Sequence, residues 1–261
     1  MRPCVSVRPE GDAMTVRILE DGDIYFAYRP RVERKEAHQI EDIQRLFVIL
    51  QPSRPGVVRR LIIGRKRLPQ PDEHERYWGF VDEVADRPEA VEDDLERQQY
   101  ATRTRGERQV AEARPAGEGR YSLLVHDDHT HLVYALELPR RPGSVQTELD
   151  IQPEASYIVA AKNPEVPSRP GVGLSADRRT DLPDPLQRRF DRRRFIPADP
   201  DLLNQDGVEF VLIGASHDIE QELGIHLDTE KETEATAEIF QRLRMPPDRH
   251  PSEPLTRGEW R

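Results

Sequence analysis

At 261 residues the chain has room for one large or two small domains, and with 36% hydrophobic residues, 34% charged residues and 23 prolines some of that length should lie outside a core. The net charge of −10 is concentrated late, with 15 acidic against 6 basic residues from Asp199 onward; the near-neutral body before it argues against a basic nucleic-acid-binding face. No apolar run approaches the roughly 18 residues of a membrane-spanning helix, no positive-then-apolar signal opens the chain, and the single Cys4 excludes an internal disulfide, so a cytoplasmic setting is expected.

Residues 1–13 are polar and irregular, and read as a flexible extension before Met14. From Thr15 the pattern becomes strand-like. Val16 to Leu19 and Ile24 to Tyr28 flank Glu20-Asp21-Gly22-Asp23, and an Asp-Gly between apolar runs predicts a hairpin turn. Arg45 to Leu50, Arg59 to Ile63 and Tyr77 to Val81 follow as short apolar runs bounded by Pro or Gly, the pattern of buried strands. Pro88 at a first helical position predicts a short helix from Glu89 to Arg97.

The segment His126-Asp127-Asp128-His129-Thr130-His131 stands between two stretches of period-two alternation, and predicts a hairpin. With Asp127-Asp128 as its loop, Leu123 faces Leu132 and Tyr121 faces Tyr134 on the buried side. His126 then faces His129, with His131 diagonal to it. Opposed residues have Cβ atoms about 4.5–5.5 Å apart, so the three imidazoles could converge on one ion; a solvated, His-rich tip is the plainer alternative.

Strands resume at Tyr157 to Ala161 and Glu209 to Gly214. Residues 163–198 between them read as a long crossing loop with a helical turn near Pro185 to Phe190, and connections of that length tend to be functional. Asp199-Pro200 caps a turn or two through Asn204. Asp218 caps Ile219 to Leu223, with Gly224 as the stop. Thr229-x-x-Glu232 is a capping box introducing Ala235, Ile239, Phe240 and Leu243 at helical spacing, ended by Pro246-Pro247. These signals predict a mainly β (α+β) fold, an antiparallel sandwich or partly closed barrel with a few short marginal helices. The expected organisation is an extension over 1–13, one domain over 14–227, an amphipathic helix over 228–244 and a disordered tail over 245–261.

Several segments carry a resemblance. Gly64-Arg65-Lys66-Arg67-Leu68-Pro69, Tyr77-Trp78-Gly79-Phe80-Val81-Asp82, Ala113-Arg114-Pro115-Ala116-Gly117-Glu118-Gly119 and Thr130-His131-Leu132-Val133-Tyr134 resemble a family of uncharacterised plant and bacterial proteins. Glu20 to Phe26, Glu154 to Tyr157, Lys162-Asn163-Pro164 and Arg194 to Pro200 extend the resemblance over about Leu19 to Gly224. It implies a shared fold and no particular activity. At Ala27 the chain departs from the aromatic expected there.

Within that span Arg65, Lys66, Arg105, Arg114 and Lys162 stand at predicted strand ends or turns, where side chains are presented to ligands. Guanidinium forks with an ammonium suit phosphate or carboxylate recognition. The first functional expectation is therefore a binding module for a small anionic ligand or an acidic partner segment, without cofactor, nucleic acid or membrane. The alternative is a metal-dependent hydrolase or dioxygenase-like enzyme using His126, His129 and His131 with a carboxylate such as Glu118 or Glu137, and one divalent ion activating water. A third is an interaction protein that docks a partner through the 163–198 loop and the C-terminal helix. No Gly-x-Ser-x-Gly elbow, dinucleotide fingerprint or phosphate-binding loop is present.

Overall fold

Apolar side chains at every second position decide the architecture. In the computed structural model, which describes residues 5–7, 16–87, 91, 95–102, 106–168, 173–175, 178 and 180–261, they line the inside of a closed barrel. Its eight antiparallel strands follow the order β2 (Arg17–Pro30), β3 (Ile43–Pro52), β4 (Val58–Ile63), β5 (Arg76–Ala85), β12 (Glu209–Ser216), β10 (Glu154–Lys162), β9 (His129–Leu138) and β8 (Arg114–His126), and β8 returns to β2. The predicted partly closed barrel is thus a closed one. Two meanders, β2 to β5 and β8 to β12, are joined at the β5–β12 and β2–β8 seams. Outside it lie β1 (Val5–Val7), paired with β13 (Ile225–Leu227), a hairpin of β6 (Gln98–Thr102) and β7 (Gly106–Val110), and β11 (Phe195–Pro197) on the edge of β10. Val5 to Val7, expected within a flexible extension, are therefore strand-paired.

Ile24, Phe26 and Tyr28 of β2, Leu46, Val48 and Leu50 of β3, and Leu132 and Tyr134 of β9 belong to one interior cluster. Each such side chain contributes about 1.5–3 kcal/mol on leaving water. Tyr134 meets Phe26 edge-on at 5.1 Å and stacks on Tyr157 at 6.2 Å. A cavity of only about 20 Å³ remains among these apolar residues, so side chains fill the barrel. The rim carrying the β2–β3, β4–β5 and β9–β10 connections is closed by Leu68 and by Val145 and Leu149 of the helix Ser144–Leu149, with Trp260 edge-on to Tyr28. At the opposite rim the helix Pro200–Leu203, capped by Asp199, inserts Leu202 and Leu203.

The expected turn at Asp21-Gly22 is a correction: β2 runs unbroken through it. Gly22 serves close approach instead, since a Cβ there would lie 2.2 Å from the Gln51 carbonyl oxygen of β3. Asp21 holds the end of β3, accepting from Ser53 N at 2.8 Å on its carbonyl and from Ser53 Oγ at 2.9 Å on its carboxylate. Most of the helix expected over Glu89 to Arg97 lies outside the described residues.

The C-terminal residues correct the sequence reading twice. The capping box does not open a helix at Thr229; within 228–244 helix occupies only Glu238–Arg242. Residues 245–261, expected as a disordered tail, pack on the barrel. Ala237, Ile239, Leu243, Met245 and Leu255 cover Tyr25, Ala27, Phe47 and Ile49 on the outer face of β2 and β3. His250 is fully buried with Nδ1 2.8 Å from the Ala113 carbonyl oxygen, and Tyr28 Oη donates to the Arg261 carbonyl at 3.1 Å.

Candidate functional site

The histidine hairpin forms in the expected register, with Tyr121 opposite Tyr134, Leu123 opposite Leu132 and His126 opposite His129. The apolar members point into the barrel, so the histidines fall on the outer face. They do not share one environment there. His129 is exposed, whereas His131 is 3% exposed beneath the helix Ile219–Leu223. Its ring is 5.8 Å from that of His126, and its Nδ1 lies 3.0 Å from Ser156 Oγ and 3.9 Å from Glu222 Oε1. Burial, with His126 and His129 nearby, pushes the His131 pKa down to about 4, so the ring is neutral. Both polar contacts converge on the same ring nitrogen, so His131 does not relay between a hydroxyl and a carboxylate as a catalytic triad histidine does. Among the described residues no group of three His, Cys, Asp or Glu side chains is placed to hold a metal ion. Glu118 and Glu137 accept backbone N–H groups instead, from Glu238 and Ile239 and from Glu230 respectively.

The five predicted anion ligands are not brought together. Arg65 is exposed over the Tyr77 ring at 5.9 Å. Lys66 adopts the left-handed conformation of the β4–β5 turn and donates its Nζ to the Ile43 carbonyl at 2.6 Å, with burial and Arg31 lowering its pKa. Lys162 ends β10 at the opposite rim, fully buried, 3.1 Å from Glu209. Glu209 in turn accepts Leu174 N at 2.8 Å, so this pair pins the crossing loop. Arg105 lies outside the described residues.

Arg114 leads to a different site. It is 2% exposed, with Nη1 donating to the Glu112 carbonyl at 2.7 Å and Nη2 to that of Lys35 at 2.8 Å, while Nε has no hydrogen-bond partner among the described residues. Burial lowers its pKa, partly offset by Glu112. Beside the Lys35 backbone opens a cleft of about 350 Å³, lined by Glu33, Arg34, Lys35, Arg97, Gln109, Val110 and Ala111. Three of those side chains are cationic and one is acidic. Arg34 and Arg97 each reach a carboxylate at the margin, Asp42 at 3.0 Å and Glu112 at 3.1 Å, yet both remain 55% exposed. Residues 31–37 are held to β7 by Glu33 N donating to the Gln109 carbonyl at 2.9 Å. Sequence reasoning chose Arg114 and missed Arg34, Lys35 and Arg97. The adjacent pair Arg34-Lys35 offered the only local hint, two cations shortly after a predicted strand ends at Pro30.

Comparison with family models, curated proteins and solved structures finds no match to this chain.

Proposed function

We propose that the chain is a binding module for an anionic ligand, a phosphate- or carboxylate-bearing small molecule or an acidic segment, received in the Arg34–Lys35–Arg97 cleft. The observation that carries this reading is the excess of exposed cations in one concave site, whose Lys35 carbonyl is held by the buried Arg114. A volume near 350 Å³ suits a small ligand. Partly exposed guanidiniums can exchange a marginal surface ion pair, worth little in water, for a bidentate contact with a ligand oxyanion. A filled barrel interior directs ligand chemistry to the surface.

Phosphate and citrate should raise the thermal midpoint by mass action on the native state, beyond sodium chloride at matched ionic strength. Lys35→Gln/Arg97→Gln should abolish that rise. Arg65→Gln, outside the cleft, should retain it. An equal rise with sodium chloride, or one that survives in the double variant, would count against the site.

A further inference from the structure

The outer face of β2, β8 and β9 carries a cluster of charges that the cleft does not involve. We infer that residues 228–243 form a proton-locked strap, held on the barrel by carboxylates that cannot all be charged while it is seated. Three of the strap's attachments are backbone N–H groups donated to barrel carboxylates: Glu230 N to Glu137 at 2.5 Å, Glu238 N to Glu118 at 3.3 Å and Ile239 N to Glu118 at 2.9 Å. The strap brings its own Glu232 into the same space, 8% exposed, with Oε2 lacking a hydrogen-bond partner among the described residues.

The surrounding charges do not balance. From β2 come Asp23, with Asp21 next to it, and the buried phenol of Tyr25, whose hydroxyl has no hydrogen-bond partner among the described residues. From β8 come Glu118 and Arg120, from β9 Glu137, and from the strap Glu232, Glu238 and Arg242. Arg120 and Arg242 both ion-pair with Asp23, and Arg242 also pairs with Glu238 at 2.6 Å. Arg140 Nε donates to the Glu232 carbonyl at 3.3 Å, not to its carboxylate. Glu118, Glu137 and Glu232 thus share one low-dielectric space, where Arg120 acts on Glu137 but also ion-pairs with Asp23.

Protons supply the remaining compensation. Burial raises Glu118 and Glu137 to about 7, with Glu232 adding to both, despite the backbone N–H bonds and, at Glu137, the Arg120 charge that favour the ionised forms. Carboxyls raised in this way stabilise the seated strap while protonated. That contribution fades as pH rises from the ordinary carboxylate value near 4.5 through 7. Release would uncover the apolar face of Tyr25, Ala27, Phe47 and Ile49 beneath Ile239 and Leu243.

Hydrogen exchange of the full chain tests this, with rates corrected for intrinsic pH dependence. Between pH 6 and pH 8 the protection of the Glu230, Glu238 and Ile239 amides should fall about tenfold for each carboxylate released, while β3 amides keep theirs. Glu118→Gln and Glu137→Gln each retain an acceptor oxygen and should reduce the response, and the double variant should abolish it. Glu232→Gln, on the strap itself, should weaken it without touching a barrel strand. Unchanged protection in the parent chain, or a pH response persisting in the double variant, would overturn the latch. So would calcium chloride at pH 8 restoring protection beyond matched sodium chloride, because the cluster would then be a cation site.

Discussion

Arg59 is fully buried and charged, and its partners explain how. Its Nη1 and Nη2 fork onto Glu20 at 2.5 and 2.8 Å, Nε donates to Asn204 Oδ1 at 2.7 Å, and Tyr121 Oη donates to Glu20 Oε1 at 2.7 Å. Burial and the Glu20 charge hold the Tyr121 phenol well above its usual pKa, so it stays a donor. Breaking one side of such a pair strands a charge, whereas replacing both sides often costs little. Arg59→Met should therefore destabilise by about 3–5 kcal/mol, and Arg59→Met/Glu20→Leu by clearly less than the sum of its single variants. Urea unfolding of the four proteins measures this, and simple additivity would refute the coupling. Nothing in the sequence marks Arg59 among 35 arginines; its partners lie 39 and 145 positions away.

At the scale of elements, local chemistry was legible wherever it decided the outcome. The β8–β9 register follows from Tyr and Leu alternating on both sides of a two-residue loop, with Asp127 in the left-handed region. Asp199 and Asp218 cap their helices by accepting from Leu202 N and Gln221 N, and Gly224 stops the second helix at φ 64°. Because Leu132 and Tyr134 point inward at 5% and 1% exposure, Leu132→Ala and Tyr134→Ala should each cost about 2–5 kcal/mol as core truncations. Denaturant midpoints shifted by far less would mean that the barrel relaxes around them. The Thr229–Glu232 box was misleading for a tertiary reason: the Glu230 amide is bonded to Glu137 and Glu232 is buried. The candidate cations could be named from the sequence but not grouped, because the carboxylates that neutralise Lys162 and Arg114 are chosen by the fold.

For the whole molecule, the C-terminal residues are part of the outer core. Deleting residues 245–261 removes Met245 and Leu255, both fully buried, and the ring of Trp260 against Tyr28. At about 1.5–3 kcal/mol for each buried aliphatic chain, the thermal midpoint should drop by roughly 10 °C. Calorimetry of the truncated chain checks this, and an unchanged midpoint would show that these contacts contribute nothing. The two seams have a kinetic consequence. The first four strands are neighbours in sequence and the second four are interrupted only by the crossing loop and β11, but β2 meets β8 and β5 meets β12 only after about a hundred intervening residues have been looped out. That entropy is lost before any seam contact compensates it, so closure should be the slow step of folding. Until both seams zip, four raw strand edges stand open to neighbouring chains.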